Sequence, residues 1–289
     1  MKKLFPLLIL LLVPLLNIYA QNKVIKVTSV SEFLNAVGPD RTIKVESGIY
    51  DFSTCPQDTN GEYYYLDNVY DGSELVLTNI KNMKIIGTGF STPKFITEPV
   101  YGNVLSFNGC SNIFIENFEM GHKPLTGGCT GGVLKFETSN DITINDCILY
   151  GCGTEGITCD AVSGLVCNNT VIRNCSYGIM SLGNSNSINF RKCDFISNKE
   201  FDMVNILDCT NIKFSKCYFS NNKSTTEYDY SDYSLFNVEG QEQVILNDCE
   251  IINNSTNYFC TDKNLIKLVD TPIEKNNFTK GLYKEIQRN

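Results

Sequence analysis

Three charged residues near the middle of the sequence, Lys135, Glu137 and Asp160, have side chains that could cleave or bind a polysaccharide. Two carboxyl groups about 5 Å apart are the catalytic pair of retaining glycosidases. In a lyase, Lys135 would instead be the base, while Glu137 and Asp160 would hold a cation such as calcium. The alternative is that these are exposed acids beside one lysine. Glu155, in a glycine-rich turn, is a fourth candidate for the same catalytic site.

Hydroxyl, amide and phenol side chains could bind the substrate beside these charges. Tyr rings can stack on sugar faces, and three of them lie in a long segment, residues 223–234, that is expected to wall the site as a loop. The same segment could equally be a tolerated surface insertion. The predicted substrate-binding residues are Thr158, Asn205, Tyr228, Tyr230 and Tyr233. The only histidine, His122, is predicted to be exposed to solvent.

These residues are positioned by a repeat of apolar residues. Its anchors recur at steps of 22 to 32 residues: Met83, Ile113, Ile142, Leu165, Ile188, Ile212, Val244 and Ile266. A second column lies seven residues after the anchors: Phe90, Met120, Leu149, Ile172, Phe195, Phe219, Ile251 and Ile273. A third column lies eight residues before the later anchors: Leu105, Leu134, Ile157, Met180, Val204 and Phe236.

The repeat predicts an all-β fold, a right-handed parallel β-helix with three short strands in each of about seven to eight coils. Apolar residues two positions apart indicate strands, and strands that recur once per coil must be parallel. Parallel crossovers are almost always right-handed. Because neighbouring strands lie about 4.8 Å apart, Glu137 and Asp160 should be adjacent. Four asparagines are expected to stack as a ladder of amides: Asn198, Asn222, Asn254 and Asn276.

The first 50 residues are expected to contain an export signal and a cap. Residues 1–20 have two lysines and an apolar run, which predicts a signal peptide cleaved near Ala20, and hence a secreted or cell-surface protein. Residues 21–289 are then one β-helix domain. A cap over about residues 24–50 should consist of the strands Val24–Val27 and Thr42–Val45 with a short helix at Ser31–Gly38 between them.

The thirteen cysteines are predicted to be buried thiols and not a disulfide framework. Cys147, Cys193, Cys217 and Cys249 each lie five residues after an anchor, in a column that also contains the apolar Phe118. Stacked parallel strands hold the Cβ atoms of such neighbours at about 4.8 Å, while a disulfide prefers about 3.8 Å. We therefore expect most of these thiols to be reduced and unreactive in the folded protein.

The N-terminal strand, helix and strand, the turn Gly48-Ile49-Tyr50, the apolar columns and the asparagine column resemble those of pectin lyase-like right-handed β-helix proteins. The resemblance covers nearly all of residues 24 to 281. It implies the β-helix fold and a substrate groove along one outer sheet face. The Asn-Thr-Asp and Arg-Ile-Lys motifs of polygalacturonases are absent, as is any Trp, which pectate lyases have in Trp-Ile-Asp-His. No catalytic residue is therefore carried over from that superfamily.

Charge limits the partners of the exported chain. Without Lys2 and Lys3 it has 22 basic and 32 acidic residues, so nucleic acid is a poor partner. The sequence has no second hydrophobic segment of the kind that predicts a membrane span. We also expect a monomer. The sequence favours a secreted protein that binds or cleaves a polysaccharide along the sheet that contains Lys135 and Asp160. The alternative is a non-catalytic surface or adhesive scaffold.

Overall fold

The structure, a computed structural model, describes residues 23–56, 58–123, 131–151, 154–224 and 232–284. Somewhat more than half of these residues lie in strands, which form three sheets that run along one axis. The first sheet consists of Lys23–Val27, Arg41–Val45, Lys81–Gly87, Ser111–Glu116, Asn140–Asn145, Ser163–Asn168, Asn186–Arg191, Thr210–Ser215, Val244–Asn247 and Ile266–Val269.

The second sheet consists of Ile49–Asp51, Lys94–Thr97, Glu119–His122, Ile148–Tyr150, Val171–Arg173, Asp194–Ile196, Tyr218–Ser220 and Glu250–Ile252. The third sheet consists of Asn60–Gly61, Tyr64–Val69, Gly72–Thr78, Leu105–Asn108, Leu134–Glu137, Ile157–Asp160, Met180–Gly183, Val204–Leu207, Ser234–Glu239, Ser255–Cys260 and Asn277–Tyr283. Every pairing in the first and second sheets is parallel, as the repeat predicts. The chain passes through the three sheets in turn and so builds one coil of the helix.

The predicted columns agree with the observed strand register except at the two ends of the second column. Ile273 lies in no strand, because the second sheet ends at Glu250–Ile252. Met83, Ile113, Ile142, Leu165 and Ile188 face one another in the first sheet. The second column, however, does not contain Phe90, because Phe95 pairs with Met120 instead and Phe90 is fully exposed. The prediction was wrong because residues 88–93 form an irregular connection that delays the second strand of that coil.

The asparagine ladder is confirmed in detail. Asn198 Nδ2 donates to Asn222 Oδ1 (2.9 Å), Asn222 Nδ2 to Asn254 Oδ1 (2.8 Å), and Asn254 Nδ2 to Asn276 Oδ1 (2.9 Å). The side chains also bond to main-chain groups, as in the bond from Asn222 Nδ2 to the carbonyl of Phe195 (2.9 Å). Asn198 and Asn222 are completely buried. The ladder therefore gives these buried amides hydrogen-bond partners in the turn between the second and third sheets.

The N-terminal cap has the predicted order of elements. Its helix spans Val30–Ala36, and the Ser29 side chain accepts a hydrogen bond from the Glu32 amide, which caps the first turn. Phe33 from this helix contacts Phe95 in the core, with ring centroids 5.2 Å apart. The antiparallel hairpin of Tyr64–Val69 and Gly72–Thr78, which extends the third sheet at its N-terminal end, lies outside the predicted repeat. In the described part of the chain, no helix has the length and apolar character needed to cross a membrane.

The interior is a stack of aromatic rings, aliphatic side chains and thiols. Phe190 and Phe214 stack with ring centroids 4.9 Å apart and planes 8° apart. The predicted burial of Cys147, Cys193, Cys217 and Cys249 is confirmed. The Sγ atoms of Cys193 and Cys167 lie 3.9 Å apart.

Thiol titration of the native protein is expected to modify few cysteines. Burial raises the pKa of Cys147 to about 12, so the thiolate that reacts with disulfide reagents is scarce at neutral pH. Cys55 is only half-buried and should react first among the described cysteines. Titration with an aromatic disulfide before and after denaturation should show most groups only after unfolding. Rapid modification of most thiols in the folded protein would contradict the assigned column.

Candidate functional site

The outward face of the third sheet brings together most of the predicted site residues. Lys135 pairs in register with Thr158, and Glu137 pairs with Asp160 on the neighbouring strand, as expected. The row of Lys135 and Thr158 continues with Ser181, and then with Asn205 and Asn237 on the following coils.

Lys135 and Glu137 form an ion pair along one strand. Lys135 Nζ lies 2.6 Å from Glu137 Oε1, and both side chains are about one-third exposed. Burial lowers the pKa of Lys135, but the hydrogen bond to Glu137 and the fields of Glu137, Glu74 and Asp67 raise it more, so the pKa lies above its usual value. Lys135 could act as the base of a lyase only as a neutral amine, and the acidic groups around it favour the charged ammonium form.

Asp160 has a different environment from its neighbour Glu137. Its side chain is exposed, and its Oδ1 accepts a hydrogen bond from Asn184 Nδ2 (3.0 Å). The lysine next to Glu137 reduces the repulsion that two facing carboxylates would otherwise suffer. Among the described residues, no group of three or more His, Cys, Asp or Glu side chains is placed to hold a metal ion. Glu137 and Asp160 are thus a pair of acids with one polar partner each.

Glu155 does not join this group. It precedes the strand Ile157–Asp160, so it lies five residues, or about 16 Å, from Asp160 along an extended chain. Burial raises the pKa of Glu155, and a hydrogen bond from Thr154 partly offsets that effect. The expectation that Glu155 reaches the other acids ignored this strand direction.

His122 is buried, which corrects the expectation of an exposed side chain. It is 1% exposed, and its Nε2 donates to the carbonyl of Gly102 at 2.8 Å. Burial lowers the pKa of His122, so the ring is neutral at pH 7. An ideal Cβ on Gly151 would lie 3.2 Å from His122 Nδ1, which shows how closely the next coil covers the ring.

The predicted sugar-binding residues are only partly in the described chain. Thr158 and Asn205 lie in the outward row, and Asn237 Nδ2 donates to Asn205 Oδ1 (3.1 Å). Tyr228 and Tyr230 lie outside the described residues. Tyr233 lies at the edge where the chain enters the third sheet.

Tyr233 belongs to an aromatic ledge, formed by Tyr177, Phe201 and Tyr233, that was not expected from the repeat. Each ring lies three residues before a member of the third column, on consecutive coils. The ring centroids are 4.8 Å apart for Tyr177 and Phe201, and 5.3 Å apart for Phe201 and Tyr233. Phe201 is 40% exposed. The regular offset from Met180, Val204 and Phe236 was the signal that could have revealed this ledge.

Two partly buried acids, Glu155 and Asp202, each lie two residues before a member of the third column. Gly178 lies between them, and an ideal Cβ there would be 3.7 Å from Glu155 Cγ and 2.8 Å from the Asp202 carbonyl. Asp202 Oδ1 accepts a hydrogen bond from the Ser234 amide at 2.6 Å. Burial nevertheless raises the pKa of Asp202 to about 6, against the effects of Ser234 and Lys284.

The outward face of the third sheet is acidic between the strands Tyr64–Val69 and Ser234–Glu239. Register places one ammonium and five carboxylates on it. The Glu74 carboxylate is nearly buried and accepts hydrogen bonds from the Asn103 amide and the Ser106 hydroxyl. The charged residues of this face are Asp67, Glu74, Lys135, Glu137, Asp160 and Glu239.

Comparison with known proteins identifies the architecture. No family model matches the sequence, and no curated protein matches it. Among solved structures, the pectate lyase Pel9A has a TM-score of 0.51 at 9% identity, covering 90% of this chain and 80% of the lyase. The chain has the right-handed parallel β-helix fold. A surface adhesin of Streptococcus pneumoniae, PfbA, has a TM-score of 0.49 at 10% identity, covering 84% of this chain and 70% of the adhesin. At 9% identity the likeness to Pel9A shows the fold alone.

Proposed function

We propose that this β-helix is a secreted or cell-surface protein that binds a polysaccharide along the outward face of its third sheet. The observation that carries the proposal is the row of small hydroxyl and amide side chains on consecutive coils: Thr158, Ser181, Asn205 and Asn237. Each of these side chains is half-buried and belongs to a rigid strand. Such a row presents donors and acceptors at intervals of about 4.8 Å along a straight line.

An extended sugar chain suits this arrangement because its hydroxyl groups also recur along a line. The amide of Asn237 is already oriented by its bond to Asn205, so less side-chain entropy is lost when a ligand binds. The charged pair beside the row supports binding more than lyase chemistry, because Lys135 is held as an ammonium by Glu137. Export to the cell surface or medium is part of the proposal and follows from the signal expected in residues 1–20, which lie outside the described chain.

Substitution of Ser181 by isoleucine should weaken polysaccharide binding at least about tenfold, or about 1.4 kcal/mol. The branched side chain suits a strand but removes a hydroxyl and fills the middle of the row. Affinity electrophoresis should be run with a neutral β-glucan, a galactomannan and polygalacturonate, each with and without calcium. Release of reducing ends from the same polymers would show cleavage.

Asn189→Ile is the matched control, because Asn189 points outward from the first sheet in the same coil. This variant should bind as the wild type does. Failure of the wild type to bind any of the three polymers would refute polysaccharide binding. Equal loss in both variants would show a general effect on folding and would remove the support for this face.

A further inference from the structure

We propose that this protein is exported by a route that attaches no N-linked glycans, because two of its acceptor asparagines are buried in the asparagine ladder. The acceptor of an N-linked glycan is the asparagine of Asn-x-Ser or Asn-x-Thr, and in a glycosylated protein it lies on the surface. Export belongs to the proposed function, on which this inference therefore rests. The compartment in which the chain folds does not depend on which polysaccharide it binds.

The acceptor triplets of this chain differ sharply in exposure. Six asparagines begin such triplets, and four of them reach the surface: Asn168, Asn174, Asn253 and Asn277. The other two, Asn222 and Asn254, are 0% and 1% exposed. An attached glycan is bulky and strongly hydrated, so it cannot be accommodated at these two positions of the folded chain.

The ladder also uses the atoms that glycosylation would modify. Asn222 Nδ2 donates to the Phe195 carbonyl (2.9 Å) and to Asn254 Oδ1 (2.8 Å). Asn254 Nδ2 donates to the Phe219 carbonyl (2.9 Å) and to Asn276 Oδ1 (2.9 Å). Glycosylation joins the C1 atom of the first sugar to Nδ2, and one Nδ2 proton and the diphosphate of the oligosaccharide donor leave. The glycan would therefore remove one ladder hydrogen bond and push the side chain out of the interior.

Burial in the folded protein gives no protection while the chain is being exported. The Asn222 side chain bonds to Asn254, which lies 32 residues further along the chain. The Asn222 triplet therefore stays exposed until the next coil has crossed the membrane. In a compartment with an oligosaccharide transferase, both triplets would be available as acceptors before the ladder forms. The fold is thus compatible with export only where this transfer does not occur.

The test is expression of the full chain in cultured animal cells, whose secretory route attaches N-linked glycans. The wild type should be retained inside the cells, and mass spectrometry of its peptides should show glycans on Asn222 and Asn254. Tunicamycin blocks formation of the oligosaccharide donor. It should raise the amount of folded protein in the medium at least about fivefold, because the unmodified chain can complete its coils.

Two double variants separate the buried acceptors from the exposed ones. Ser224→Ala with Thr256→Val removes both buried triplets and keeps the ladder asparagines. It should be secreted without tunicamycin at least about five times as well as the wild type. Ser176→Ala with Thr279→Ala is the matched control, because it removes two exposed triplets, and it should be retained like the wild type. The tunicamycin comparison uses the unaltered chain, so it decides the question independently of any loss of stability from Thr256→Val.

Three results would overturn the inference. The first is folded wild-type protein in the medium at equal levels with and without tunicamycin. The second is folded, secreted protein that carries a glycan on Asn222 or Asn254. The third is a wild-type chain that stays in the cells without any glycan, which would refute export itself. Loss of polysaccharide binding concerns only the sheet face and is measured on purified protein, so failure of the proposed binding is distinguishable from all three.

Discussion

Replacement of Asn222 by alanine is expected to lower the free energy of unfolding by about 4 kcal/mol, because it breaks the buried asparagine ladder. Asn222 Oδ1 accepts hydrogen bonds from the Asn198 main-chain amide (3.0 Å) and from Asn198 Nδ2 (2.9 Å). Its Nδ2 donates to the Phe195 carbonyl and to Asn254 Oδ1. Alanine leaves these partners unsatisfied at a site where Asn222 itself is completely buried.

Urea denaturation measures this effect, with Asn189→Ala as the control. Asn189 is an asparagine on the outer face of the first sheet, and its truncation should change the free energy of unfolding by less than about 0.5 kcal/mol. Each coil contacts only its neighbours. Asn222→Ala should therefore also weaken the coupling between the coils on its two sides, so that they unfold in separate transitions. A loss below about 1 kcal/mol would show that water or a rotated side chain replaces the ladder, contrary to the assigned role.

The second large effect is a dependence of stability on pH that arises from Asp202. Burial raises the pKa of this carboxyl in the folded protein to about 6, while the ordinary value is 3.8. Between these values the folded state binds a proton more tightly than the unfolded state does. The contribution of Asp202 is therefore most favourable below about pH 4, falls as the pH rises through about 6, and stays low above that. The full change is about 3 kcal/mol.

Asp202→Asn should remove this loss and stabilise the protein by about 2 to 3 kcal/mol at pH 8, with little effect at pH 4. An amide can accept the Ser234 hydrogen bond as the carboxylate does. Asn103 already does so in the same column, since its Oδ1 accepts from the Gly132 amide at 2.9 Å. Thermal melts of both proteins across pH 4 to 8 supply the measurement. A difference in melting temperature that is the same at every pH would refute the titration of Asp202 as its cause.

The sequence alone was sufficient for the repeating coils of the β-helix. The recurrence of apolar pairs set the three strands per coil, and the strand repeat then placed Glu137 beside Asp160. It also predicted the asparagine ladder, since equal spacing from the anchors is enough to stack amides such as Asn222 and Asn254. In a solenoid, position within the repeat determines both the neighbour on the next coil and the side of the sheet, so one-dimensional periodicity contains this information.

Only the tertiary structure decided the chemistry of the site. The pKa of Lys135 depends on Glu74 and Asp67, which come from a hairpin that the repeat does not include. Phe90 left its column because an irregular connection changed the spacing. The packing of the Tyr177 and Phe201 rings depends on how two turns fold onto the sheet edge. Charge, burial and ring contacts arise from side chains that meet in space without a fixed distance along the chain, and periodicity does not encode them.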